Sequence, residues 1–359
     1  ILNEAMSANA SGLLDEDGDH EDWIELLNAG VAPADLTGYG ISDDILDPYL
    51  WIIPAVILQP GEFLILFASG KDRTGPELHL NFKLKRSGEL LRLTDAEGTL
   101  RDEITLEALI ADVSMGRLAG ELRYFGEPTP GEGNTTMPYD GITPAPSFNP
   151  ERGIFESSMI VEIDGNTDRL AFSSDGSIPD LPLIVPLVQL FVDTTTTLRA
   201  RAFRPDWLPS EIVTHSYIID EPVNLPVVCL TMDPPDLWDP VTGIYVMGDS
   251  TEENWPYYGA NFWEDWEKFA HWEYMSLEGG GFSLDGGAKI NGGWSRAQPQ
   301  KAVRLVARDA YGVSEVDYPL YPETGIGQFK RLILRNCGND FPYAHIRDIL
   351  AHSVAADED

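Results

Sequence analysis

Cysteine is almost absent: of 359 residues only Cys229 and Cys337 carry a thiol. A disulfide-stapled scaffold is therefore excluded, which leaves either one bridge or two small buried thiols. Lysine is scarce as well, with 7 in the whole chain. Lys and Arg together number 24 against 59 acidic residues, a formal net charge of −35. A field of that sign repels phosphate backbones and anionic lipid, so no nucleic acid is expected as a partner. Such a composition suits salty or calcium-rich water, where counterions screen the repulsion, or simply an acidic secreted protein. No run approaches the ~18 apolar residues of a membrane helix, and no membrane span is expected. No signal peptide is legible, and the chain opens directly on strand-like residues, as a mature or trimmed product does.

Helical periodicity is also missing. Short alternating or β-branched runs recur instead, among them "DWIELLN", "GEFLILFAS", "GELLRLTD", "TLRARAF", "LPVVCLT", "KAVRLVAR" and "KRLILRN", separated by Gly, Pro, Asn and Asp. With 9 Trp and an ordinary apolar fraction the chain has enough to bury real cores. The expected fold is mainly β, with two or three modules in a chain of this length. The Pro/Gly-dense stretch 124–150 reads as the end of a first module, and "IDEPVNLP" at 219–226 as a second boundary. Only "AHIRDILAHSVAA", residues 344–356, has the spacing of a helix. The chain stops at "DED" with nothing to pack under that helix, as if cut inside a domain.

Three resemblances order these pieces. Residues 1–134, through "ILNEAMSAN", "DEDGDHEDWIELLN", "DLTGYGISDD", "LQPGEFLILFASGKDR" and "PTPGEGN", resemble the bacterial lamin-tail domain, an immunoglobulin-like β-sandwich. After a linker at 135–144, residues 145–222 resemble the small β-sandwich repeat of chitobiase-type glycosidases, through "SDGSIP" and "TTTTLRARAFRPDWLPSEIVTHSYII". Residues 223–359 resemble the N-terminal part of the CotH kinase family, through "PVVCLTMDPPDLWDPVTGIYVMG", "GGAKINGGWSRAQPQKAVRLVAR" and "FKRLILRNCGNDF". The last resemblance implies a truncated α+β module from atypical protein kinases that use ATP with Mg2+ or Mn2+. That family's metal-binding acidic residues lie further along than this sequence reaches. ATP with its metal is therefore expected only in a complete domain, and this chain is expected to be inactive. The tandem itself is typical of large secreted bacterial proteins, so an extracellular or cell-surface location is expected.

Two stretches carry candidate chemistry. In "INGGWSRAQPQKAV" the pair Gly292 and Gly293, followed by Ser295 and Arg296, has the makings of an anion cradle of backbone amides and a guanidinium. Lys301 heads an otherwise apolar strand face, and an unpaired buried ammonium is costly. A phosphate or a carboxylate resolves that, or the side chain snorkels to solvent. By resemblance, Lys301 with Ser295 and Arg296 contacts the nucleotide. The other stretch, 15–22, packs four aspartates, two glutamates and a histidine into eight positions. Asp15, Asp17 and Asp19 alternate like the first ligands of an EF-hand, with Asp22 beyond, but Leu26 stands where the closing Glu belongs. Two readings stay open: a Ca2+ site on Asp15, Asp17, Asp19 and Asp22, or a solvated acidic turn. The stripe His345, Asp348 and His352 spans two helical turns, about 10 Å, too far for both histidines to reach one ion. It reads as a solvated helix face.

Two functions follow. One is a secreted CotH-kinase-like protein with accessory sandwiches. The other is a non-catalytic extracellular protein whose β-modules are structural or adhesive, with other extracellular proteins or surface components as partners.

Overall fold

The computed structural model describes residues 1–308, 311–322 and 325–340. The helix expected over 344–356, with His345, Asp348 and His352, lies outside the described residues. Among the described residues the fold is mainly β, and the one α-helix is the short Pro234–Trp238. None of their helices is long and apolar enough to cross a membrane. Cys229 and Cys337 are not joined.

The chain divides into two compact units, residues 1–144 with 202–211, and residues 145–201 with 212–359. The first is a sandwich of two sheets. One has the strand order Pro138–Tyr139, Glu121–Phe125, Ser114–Leu118, Leu2–Met6, Trp23–Leu27, Phe63–Phe67, Leu78–His79, Arg73–Thr74. The other runs Leu100–Leu106, Glu89–Thr94, Gly40–Ser42, Trp51–Ile52. Leu2, Ile24, Leu26 and Leu66 from the first sheet meet Ile41, Trp51, Leu91 and Ile104 from the second in one core. Alternation along Trp23–Leu27 turns Ile24 and Leu26 into that core, and sends Trp23 and Glu25 to the opposite face of the sheet. There Trp23 packs with Met6, Phe67 and the half-buried Leu13, so the stretch leading into the acidic run is anchored by apolar contact.

The expected linker at 135–144 is part of this unit. Pro138–Tyr139 extends the large sheet, and Leu208 joins the core while its N–H donates to Gly141 O at 2.9 Å. Residues 202–211, expected within the second module, therefore belong to the first compact unit.

The second unit has two cores. One lies between Ser147–Asn149, Met159–Asp164, Leu187–Val192 and the four strands Gly153–Phe155, Val213–Ile219, Thr196–Phe203, Arg169–Ser173, around Val161, Ile163, Leu170 and Tyr217. The other lies on the five-stranded sheet Val227–Thr231, Lys268–Met275, Gly281–Asn291, Ala302–Val306, Arg331–Leu334, around Trp272, Phe262, Ile290 and Leu305. A large ring fits at Trp272 because Gly286 faces it: a Cβ there would come within 2.5 Å of the indole.

Candidate functional site

The acidic run folds into a tight loop organised by Asp15. Its Oδ1 accepts the N–H groups of Asp17 and Asp19, both at 2.9 Å, while Gly18 takes the left-handed conformation at φ 81°. This is an Asx turn, the arrangement by which a short carboxylate replaces main-chain partners. Asp15 Oδ2 then meets Lys71 Nζ at 2.5 Å. The same ammonium lies 3.0 Å from Asp17, 3.0 Å from Asp19 and 3.4 Å from Glu21. Arg73 pairs with Asp17 and Lys83 lies 3.6 Å from Glu21.

Of the four aspartates singled out in the sequence, Asp15, Asp17 and Asp19 come together. Asp22 turns Oδ1 to the N–H of Asn9 at 3.2 Å, and Glu21 stands in the cluster instead. Ligand atoms of Asp15, Asp19 and Glu21 lie within 4.8 Å of one another, close enough for a metal. Lys71 already supplies a positive charge at that point. A bound Ca2+ would have to share these oxygens with the ammonium or displace it, so the donor set fits the ion poorly while Lys71 stays in place.

The electrostatics follow this geometry. Burial raises the Asp15 pKa, but the Lys71 ammonium and the two N–H donors outweigh it, and the net shift is downward. Arg73 first, then Lys71, hold Asp17 down at about 2. Burial opposes the charge on Lys71, yet Asp15, Asp17 and Asp19 raise its pKa well above that of an ordinary lysine.

Beside this cluster lies a group the sequence reading missed. Ser69 Oγ accepts the N–H of Lys71 and so directs its own proton to His79 Nδ1 at 2.9 Å. His79 Nε2 then donates to Glu16 Oε2 at 2.9 Å. Glu77 completes a second set, with ligand atoms of Glu16, Glu77 and His79 within 4.8 Å. Proximity to Glu16 raises the Glu77 pKa. Glu16 lies 61 residues from Glu77 and 63 from His79, which hid the set from any local pattern.

In the turn between Gly281–Asn291 and Ala302–Val306 of the five-stranded sheet the expected nucleotide-contacting set is assembled, but the Arg296 and Lys301 donors are turned to main-chain carbonyls. Gly292 has φ 117°, and a Cβ there would sit 2.4 Å from Ser295 Oγ. Arg296 Nε donates to Gly292 O at 2.8 Å, and its Nη1 lies 3.1–3.2 Å from the carbonyls of Phe262, Trp263 and Glu264. Lys301, 9% exposed, donates from Nζ to Arg296 O at 2.8 Å and Gln298 O at 3.2 Å. Its ammonium lies 3.8 Å from the centroid of Phe262 and 5.2 Å from that of Tyr245. Burial depresses its pKa to about 8. Asn336 binds the carbonyls of Ser295 and Gln300, which closes the turn from the other side. Gly293 has open space around it.

The same sheet holds two further polar groups. His271 Nδ1 donates to Asp285 Oδ1 at 2.7 Å, which leaves Nε2 to accept the Ser283 hydroxyl at 2.9 Å. These residues face one another across paired strands, and His271 is nearly buried. Glu273, with no exposed surface, accepts the N–H of Ser216 at 3.3 Å, with Arg152 and His215 each 3.8 Å away. Burial pushes Glu273 up, but His215 and Ser216 reverse the sign and hold it below its ordinary value.

Residues 2–108 match the family model of the Lamin Tail Domain. This bears out the resemblance of the first module and the immunoglobulin-like sandwich it implied. No curated protein and no solved structure matches the chain. The chitobiase-like and CotH-like readings rest on sequence resemblance alone.

Proposed function

We propose that the protein is a non-catalytic extracellular or cell-surface component whose β-modules are structural or adhesive. The observation that carries this is the disposition of Lys301 and Arg296. Both cations that the sequence offers to a phosphate donate to main-chain carbonyls of the surrounding turns. A phosphoryl group moving between oxygens needs positive charge aimed at it. Here that charge satisfies the fold. The lamin-tail module supports the same reading, because it supplies a rigid β-unit with an ionic cluster on its surface. The CotH-like phosphotransfer reading retains the Gly292–Gly293 turn and a lysine whose pKa burial depresses.

Incubation with labelled ATP, Mg2+ or Mn2+ and an acidic protein acceptor tests the proposal. We expect no phosphate incorporation. Incorporation that disappears in Lys301→Ala overturns it.

A further inference from the structure

Residues 255–263 and the turn at Trp294 carry a connected set of aromatic rings. Trp255 and Trp294 meet edge to face with centroids 5.3 Å apart. Trp294 Nε1 donates to Tyr258 Oη at 3.0 Å, and the Tyr258 ring lies 5.0 Å from Trp263. Trp263 is fixed in turn by Nε1 donating to Pro256 O at 3.0 Å. The base of the set is therefore held, while Trp255, Tyr258 and Trp294 remain 49%, 43% and 61% exposed. Leaving such large apolar rings in water forgoes the stabilisation of burying them, and adjoining exposed rings mark a surface that something covers.

The chemistry around the rings selects the occupant. Arg296 and Lys301, the nearest cations of the adjoining turn, donate to carbonyls, and the whole chain has a net charge of −35. The net negative charge of the chain disfavours an anionic ligand, and these two cations direct donors to carbonyls. The segment beside the rings exposes Asp249, Glu252, Glu253 and Asn254. It is tied to the platform by Glu252 N–H donating to Tyr258 O at 2.8 Å. Carboxylate and amide oxygens accept hydroxyl protons, and flat rings accept the C–H face of a pyranose. Aromatic side chains with a polar handle suit a ligand that is apolar on one face and wet at its rim. We propose that Trp255, Tyr258 and Trp294 form a binding platform for a neutral polysaccharide. The inference deepens the adhesive reading above by naming its target, and it rests on that reading.

The test is affinity electrophoresis of the full chain in gels containing hydroxyethyl cellulose, mixed-linkage β-glucan or galactomannan, with tryptophan-fluorescence titration by cellohexaose. Dextran sulfate and MgATP serve as the anionic arms. Retardation by at least one neutral polymer is expected, with indifference to added salt. Trp255→Ala/Trp294→Ala weakens it about tenfold or more, the loss expected for removing exposed stacking rings. Trp294→Phe retains most of it, and Trp238→Ala, outside the platform, leaves it unchanged. Unchanged thermal melting of the double variant establishes that the loss is local. No retardation by any of the three polymers, equal retardation of the double variant, or quenching by MgATP in place of sugar overturns the proposal. Failure here leaves the expected absence of phosphotransfer standing, whereas phosphate incorporation sinks the earlier reading whatever the sugars do.

Discussion

Glu4 and Glu25 stand opposite each other on the paired strands Leu2–Met6 and Trp23–Leu27, and neither has exposed surface. Two buried carboxylates side by side are tolerated because neighbours bind them and because they need not both ionise. Ser114 donates to Glu4, and Asn3 donates to Glu25 at 2.7 Å. Gly131 N–H donates to Glu25 at 2.5 Å, and Thr129 N–H and Oγ1 each lie 3.4 Å from Glu4. Asn134 bonds the carbonyls of Asn3 and Arg117. The "PTPGEGN" stretch is thus the polar cover of this pair. Burial first, then the charge of Glu4, pushes Glu25 up to about 7.

That shift fixes a pH dependence. A carboxyl whose folded pKa is raised favours the folded state most when protonated. Its contribution is present in full below the unfolded value of 4.5 and is lost as pH rises through about 7. Glu25→Gln keeps the shape and removes the titration. At pH 8 the variant should be more stable than the wild type by about 3 kcal/mol, with the difference gone at pH 4. Urea unfolding at both pH values checks this, and a variant less stable at pH 8 contradicts it.

Lys71 supplies the charge for which a divalent ion was the other candidate. Millimolar Ca2+ should therefore raise the melting temperature of the wild type little. Lys71→Met removes the ammonium and leaves the carboxylates facing one another, so it should melt lower without Ca2+ and gain stability when the ion is added. Differential scanning calorimetry with Ca2+ and with chelator reads both effects. A large Ca2+ shift in the wild type that Asp17→Asn/Asp19→Asn abolishes restores calcium as the ion of this loop.

Glu273 is a buried carboxylate held by Ser216, Arg152 and His215. Removing the carboxylate leaves the part-buried Arg152 and His215 without their counter-charge and the Ser216 N–H without its acceptor, which costs about 2 kcal/mol. Glu273→Ala should lose stability on that scale at neutral pH, and Glu273→Gln should lose less. Equal, negligible losses in guanidinium unfolding rule out the pairing as a stabilising feature.

What the sequence made legible was periodic or local. Alternation in "DWIELLN" and "GEFLILFAS" gave the strands and their core face, and the lamin-tail motifs gave the sandwich. Asp15, Asp17 and Asp19 were visible as a cluster because they share one loop. Their partner Lys71 lies 56 residues from Asp15, and nothing in its own surroundings points to the loop. The same holds for His79 and Glu77, brought in by the short strand Leu78–His79. Lys301 was visible as an anomaly, a lysine on an apolar face. Its resolution by two carbonyls and two ring faces is tertiary, because those partners carry no sequence signature. The fate of 202–211 was hidden for a similar reason: Leu208 is an ordinary apolar residue until the fold places it in the first core.

The central claim is that Lys301 and Arg296 hold the turn between Gly281–Asn291 and Ala302–Val306 and do not hold a phosphate. Thermal melting of the wild type and Lys301→Met, each with and without millimolar MgATP, tests this most directly. A ligand that binds the folded state must raise its melting temperature. The account predicts no MgATP shift in either protein, and a lower melting temperature for Lys301→Met in both conditions. A MgATP-dependent rise in the wild type that is absent from Lys301→Met would contradict it.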